Sequence, residues 1–298
     1  MIQNLILAID GGGICGLISL AILLRLLQTC PDLLQRCKLL AGTSTGGIIV
    51  LCLAAGIPAS NILALYRDNG AAIFDQDFWQ SVADGRGIWG AKYHNAKLHG
   101  LLFDILGNTT MDQLVTPVVV SSFCLDNNEL DPAKRQWTPR FWTNKDAEVL
   151  VADVAMMTSA APTYFPSYQH GGLWYVDGCV TGHVNPSLLA LAYAGDSNTK
   201  LLSLGTGATM EHVSGVVHDG GDLQYLTRIG EMDLEGSRIS SDILSRVALG
   251  DRYRRINPAC NIAMDAWQQS STLIQVGNQC DLGDVPEWLQ DTPNGDAP

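Results

Sequence analysis

One hydroxyl and one carboxyl in this sequence sit where acyl-transfer chemistry would need them. The hydroxyl is Ser44, in Gly42-Thr43-Ser44-Thr45-Gly46, between an apolar run that reads as a strand and one that reads as a helix. A sharp strand-to-helix turn lifts a serine hydroxyl off the sheet edge, and glycines two residues to either side, Gly42 and Gly46, relieve the crowding. In that geometry Ser44 is a nucleophile; in a relaxed turn the same residue is a helix N-cap. The carboxyl is Asp177, which ends the apolar run 173–176 and precedes Gly178. It serves as a base if burial raises its proton affinity, or if proton transfer is coupled to bond formation. Of the six histidines, His183 and His212 would allow a Ser-Asp-His order, and that alternative stays open here.

A second glycine cluster, Asp10-Gly11-Gly12-Gly13-Ile14-Cys15-Gly16, follows a strand and opens a helix. Gly11, Gly13 and Gly16 satisfy the G-x-G-x-x-G of a dinucleotide-binding turn. That use also needs an acid at the end of the second strand, which instead ends in Ala41-Gly42-Thr43-Ser44, while Asp32 lies before it. A Walker loop fails as well, because no Lys follows either cluster. The remaining use is an oxyanion hole. The N–H groups of Gly11, Gly12 and Gly13 would face a developing negative charge, aided by the helix N-terminus behind them.

The elements that must position these groups alternate. Strands are expected at residues 5–9, 38–43, 117–121, 140–143, 173–176 and 200–204. Helices are expected at 16–27, 45–55, 61–69, 98–106, 147–157 and 186–194. Residues 71–97, with Phe74, Phe78, Trp79, Trp89 and Tyr93 among scattered glycines, read as a long loop or lid, and 126–136 as a polar loop. Residues 220–280 read as mostly helical and 291–298 as a flexible tail. Strands alternating with helices imply a three-layer α/β/α sandwich around a mostly parallel central sheet. With no repeat and no clear linker, residues 1–290 read as one domain.

Composition narrows the function classes. The chain has 298 residues, 47% hydrophobic and 16% charged, so it can bury a large core and is neither disordered nor a coiled coil. A net charge of −12 argues against a nucleic-acid polymer as partner and against anionic membranes held by bulk charge. The eight cysteines form no C-x-x-C pair and no zinc spacing, and read as reduced thiols. No signal peptide and no membrane-spanning run is visible, so a cytoplasmic protein is expected.

Taken together, Asp10–Gly16, Gly42–Gly46 and Asp177-Gly178-Cys179 resemble the three signatures of the patatin-like phospholipase family. Thr158-Ser159-Ala160-Ala161-Pro162-Thr163-Tyr164-Phe165 and Ser203-Leu204-Gly205-Thr206-Gly207 also look like that family, so the likeness covers residues 5–207. The resemblance implies the α/β/α fold, a Ser44–Asp177 dyad, and an oxyanion hole at Gly11–Gly13, supported by Asp10, Gly16, Gly42, Gly46 and Gly178. It implies no metal and no organic cofactor. The implied activity is hydrolysis of a membrane phospholipid or other glycerolipid through an acyl-enzyme, by a protein peripheral to the membrane when acting. Some bacterial relatives are membrane-degrading effectors switched on by a cyclic nucleotide, so a small nucleotide activator is admitted, as is a homo-oligomer. The alternatives are an esterase or acyltransferase on smaller acyl donors, or a weakened ligand-sensing or scaffold relative. Three departures stand out. Cys15 stands where the family often has Arg, and Cys179 stands where it has Gly or Ala. The run 180–186 is one residue longer than the family's, which would shift Asp177 slightly or bring in His183 as a helper.

Overall fold

The computed structural model describes residues 4–74, 91–195, 198–208 and 229–290. In chain order the elements are β1 (Leu5–Ile9), α1 (Gly16–Thr29), β2 (Cys37–Thr43), α2 (Thr45–Ala54), α3 (Ala59–Phe74), α4 (Asn95–Leu106), β3 (Val118–Cys124), β4 (Thr138–Thr143), α5 (Val151–Ser159), β5 (Tyr168–His170), β6 (Leu173–Asp177), α6 (Ser187–Ala194), β7 (Lys200–Leu204), α7 (Ile229–Leu249), β8 (Tyr253–Ile256), α8 (Ser270–Gln279) and α9 (Val285–Gln290).

The strands form one sheet in the order β5-β6-β3-β2-β1-β7-β8, with β4 pairing β3 beside that path. β1, β2, β3, β7 and β8 are mutually parallel. β4 and β6 run antiparallel to β3, and β5 runs antiparallel to β6. This is the mostly parallel α/β sandwich expected from the alternation.

Its two faces can be read along β1, where every residue is buried. Leu5, Leu7 and Ile9 pack with the apolar sides of α1, α2 and α5, while Ile6 and Ala8 meet Leu189 and Ala190 of α6. Strands covered on both faces need continuous apolar runs rather than alternation, and LILAI supplies one. All ten residues of α2 are buried. A helix apolar on every side is stable only when packed all round, and α2 packs against β1, β2, β3, α1, α3 and α5.

Several expectations need correction. Residues 71–74 complete α3 and 95–97 begin α4, so the expected lid at 71–97 is helical at both ends; 75–90 lie outside the described residues. The segment 220–280 contains the strand β8, which adds to the parallel sheet beside β7. β5, three residues long, is a further strand beyond those expected. The fifth helix starts at Val151 rather than 147, because Asp146 is held at the end of β4. Its carboxylate accepts from the Thr143 N–H at 2.7 Å and from Arg140, fixing a turn there. The tail 291–298 lies outside the described residues.

Candidate active site

Parallel strands send their C-terminal ends to one edge, and the chemistry-bearing residues gather there. The glycine loop follows β1 and Ser44 follows β2. Asp177 ends β6 opposite Ser122 of β3, whose neighbour Ser121 pairs with Thr43.

Ser44 has φ 55° and ψ −125°, a backbone conformation L-residues rarely adopt. It is therefore no relaxed N-cap, and its side chain makes no capping hydrogen bond. Two glycines make the turn possible. A Cβ on Gly42 would overlap the Gly46 carbonyl, and a Cβ on Gly46 would overlap the carbonyl oxygen of Ile9. Strain of this kind persists only where neighbours over-determine it. Here the Ser44 N–H donates to Thr158 Oγ1 at 2.9 Å. Thr43 Oγ1 donates to the His183 carbonyl at 2.7 Å and shares a hydrogen bond with Ser121 Oγ at 2.8 Å.

Asp177 is 1% exposed. Burial pushes its carboxyl up to about 6, partly opposed by the Ser44 side chain and the Cys179 N–H, which favour the anion. The Cys179 N–H donates to Asp177 Oδ1 at 2.8 Å. Gly178 lies so close to Ser121 that a Cβ would overlap its carbonyl and hydroxyl oxygens, so only glycine lets β6 end there. The Cys179 sulfur, 2.8 Å from where a Gly11 Cβ would stand, fills the space between the glycine loop and the acid. Burial raises that thiol well above its ordinary range, and the Asp177 charge beside it adds to the shift.

The glycine loop departs in one respect from its expected role. The Gly11 N–H donates to the Val184 carbonyl at 2.9 Å and so is committed to the protein. No backbone carbonyl among the described residues accepts from the Gly12 or Gly13 N–H. The loop is closely packed. Thr206 Oγ1 donates to the Gly11 carbonyl at 2.7 Å and leaves no room for a Cβ on Gly12. Gly13 has φ 56° and lies against the Met264 carbonyl. Gly16 abuts Thr45, locking α1 to α2.

Asp10 anchors this loop from beneath. It is fully buried and grips Arg255 through two bonds, Nη1 to Oδ1 at 3.0 Å and Nη2 to Oδ2 at 2.6 Å. Arg255 also donates to Ser203 Oγ at 2.6 Å. A second cation, Arg238 of α7, stands 3.5 Å from Asp10 Oδ2 and donates to the carbonyls of Gly11 and Gly207 at 3.3 and 3.1 Å. Burial opposes the Arg255 charge, but Asp10 more than restores it. Sequence reasoning missed both arginines. The usable signal was Arg255, a charged residue inside the short apolar-bounded run Tyr253–Ile256. The Cys15 sulfur points instead at the backbone carbonyls of Ile262 and Ala263, at 3.6 and 3.9 Å, and burial pushes its thiol up to about 12.

His183 Nδ1 is buried without a hydrogen-bond partner, and its ring packs edge-on against Phe141. Burial lowers its proton affinity. His170 faces Asp153 at 3.3 Å, and His99 stacks on Phe103 and Tyr168. His212 lies outside the described residues. No group of three metal-ligating side chains forms among the described residues.

Comparison with known proteins follows the same residues. The family model for patatin-like phospholipase matches residues 7–190. A cGAMP-activated phospholipase from Pseudomonas aeruginosa is 29% identical over 271 residues, covering 85% of this chain and 77% of that protein. Patatin-like protein 2 from Oryza sativa subsp. indica is 33% identical over 214 residues, covering 63% of this chain; the chain spans about half of that relative, 52%. Patatin-1-Kuras 2 from Solanum tuberosum is 28% identical over 302 residues, covering 85% of this chain and 76% of that protein.

Proposed function

The chain belongs to the patatin-like phospholipase family, and from that premise we propose that it hydrolyses fatty-acyl esters of membrane glycerolipids through Ser44 and Asp177. The observation that carries the reading is a strained serine turn beside a buried carboxyl whose proton affinity burial raises and the Ser44 side chain lowers. A carboxylate with ordinary affinity is too weak a base for a serine hydroxyl; one raised to about 6 is better matched and still ionised at neutral pH.

In this mechanism Asp177 takes the Ser44 proton as Oγ attacks the acyl carbonyl. The carbonyl oxygen becomes an oxyanion facing the N–H groups of Gly12 and Gly13 and the N-terminal end of α1. The tetrahedral intermediate collapses, and the leaving alkoxide takes the proton back from Asp177 as it departs as lysolipid or alcohol. Asp177 then deprotonates a water, which attacks the Ser44 ester; Ser44 is reprotonated and the fatty acid leaves. Asp10 and its two arginines hold the donor loop fixed, so the oxyanion site needs no reorganisation during reaction.

The test is covalent labelling by a fluorophosphonate probe together with fatty-acid release from phospholipid. The parent protein is expected to label and hydrolyse, and Ser44→Ala to lose labelling and to lower hydrolysis about 10⁴-fold or more. Wild-type hydrolysis by Ser44→Ala would end the proposal.

A further inference from the structure

A lipid hydrolase must bring its nucleophile to the bilayer surface, and the sheet edge that holds Ser44 carries an apolar rim. β3 and β4 continue past the catalytic level as a hairpin. Ser121 lies beside Thr43, and Leu125 stands four residues further along, about 13 Å out at strand rise. The β5–β6 turn projects beside it, the Leu125 N–H donating to the Trp174 carbonyl at 2.8 Å. Around these tips Leu130 is 99% exposed and Trp137 72% exposed, with Leu125 and Trp174 also exposed.

The hairpin loop is held by its own bonds, so it presents a shaped surface. The Asn127 N–H donates to the Gln136 carbonyl at 3.0 Å, Asn127 Nδ2 to the Lys134 carbonyl at 3.0 Å, and Arg135 grips Asp126. Exposing a full leucine and most of a tryptophan has no benefit to the fold. Tryptophan and leucine at a protruding tip suit the headgroup–acyl boundary of a membrane, where an amphipathic ring and an aliphatic side chain both find their medium. Val115, also exposed, precedes β3 at the opposite edge of the sheet, whereas exposed apolar residues of α7 lie on the helix whose Arg238 reaches the glycine loop. The charge of the loop decides the lipid. Asp126, Glu129 and Asp131 outnumber Lys134 and Arg135, and the chain carries −12 overall, so attraction to an anionic surface is not available.

Resting on the function proposed above, we infer that the rim formed by Leu125, Leu130, Trp137 and Trp174 seats the protein on a zwitterionic phospholipid bilayer, with the Ser44 edge facing the lipid.

Three measurements test this on the full chain: sedimentation with phosphatidylcholine vesicles, hydrolysis of those vesicles at sub-saturating lipid, and hydrolysis of a soluble short-chain ester. Leu130→Ser and Trp137→Ser should each weaken vesicle binding about ten-fold, and vesicle hydrolysis by the same factor. Soluble-ester turnover should stay within about two-fold of the parent. Binding should be indifferent to salt. Ser44→Ala should bind vesicles as the parent does. Unchanged vesicle binding by both rim variants overturns the inference, as does failure of the parent to bind protein-free vesicles, which would point to a protein partner instead. Tighter, salt-sensitive binding to phosphatidylglycerol vesicles overturns it too, and a parallel loss of soluble-ester activity would place the effect in the site. A rim-dependent protein that binds vesicles but hydrolyses neither substrate would retain the docking surface and refute the hydrolase.

Discussion

Replacing Asp177 by Asn should abolish turnover and yet make the protein more stable at neutral pH. Burial moves the carboxyl from an ordinary 3.8 to about 6. That shift of about 2 units corresponds to about 3 kcal/mol, at 1.36 kcal/mol per unit, by which the folded state disfavours the ionised group. Because the folded pKa is raised, the linkage has a definite sign. The protonated acid is tolerated fully below pH 3.8, the penalty grows as pH rises from 3.8 to about 6, and above 6 it is constant. Asparagine keeps an oxygen to accept from the Cys179 N–H and carries no charge. The variant should therefore match the parent near pH 3.8 and exceed it by about 1–3 kcal/mol above pH 6, some of the gain being lost because Ser44 favours the charged acid. Urea unfolding at about pH 4 and about pH 8, read by fluorescence, gives the comparison. If Asp177→Asn proves less stable than the parent on the alkaline side, or if the difference is independent of pH, the carboxyl is not desolvated and the reasoning fails.

The same acid should shape the rate. kcat/KM on a soluble ester should fall on the acid side with an apparent pKa near 6, dropping about ten-fold at pH 5. Thr158→Val removes the acceptor of the Ser44 N–H while keeping the shape, and should lower kcat about ten-fold with the fold intact by circular dichroism. Gly46→Ala forces a methyl into the Ile9 carbonyl and should cost several kcal/mol, seen as insoluble or unfolded protein. Arg255→Met leaves buried Asp10 with Arg238 alone at 3.5 Å and should destabilise by about 3–5 kcal/mol in thermal unfolding.

The serine turn was legible because its demands are local. Gly42 and Gly46 are required by contacts with the turn and with β1, and the apolar runs around them announce a buried strand and a buried helix. The place of Asp177 at a strand end was legible from the apolar run that precedes it and the glycine that follows. What the pattern could not carry were interactions that join distant segments. Asp10 looks like a turn residue until Arg238 and Arg255 arrive from more than two hundred residues away. The choice among oxyanion donors depends on where the Val184 carbonyl points, which no spacing encodes. β8 is four residues long and half-polar, because its arginines serve Asp10 and Asp284 rather than the core. Its periodicity is thus drowned by the helical segments on either side.

The two arginines beneath the glycine loop also order the protein's biogenesis. A ribosome that has emitted residues 1–190 has already delivered Ser44, Asp177 and every glycine of the motifs, but neither cation that satisfies Asp10. At that stage the loop would have to bury a lone carboxylate, which is strongly disfavoured. Synthesis runs at about 5–20 residues per second, so Ser44 and Asp177 exist for several seconds before the glycine loop can lock. The proposed site is therefore complete only when α7 and β8 have docked, and shorter fragments carry the motifs without the cations that hold the glycine loop.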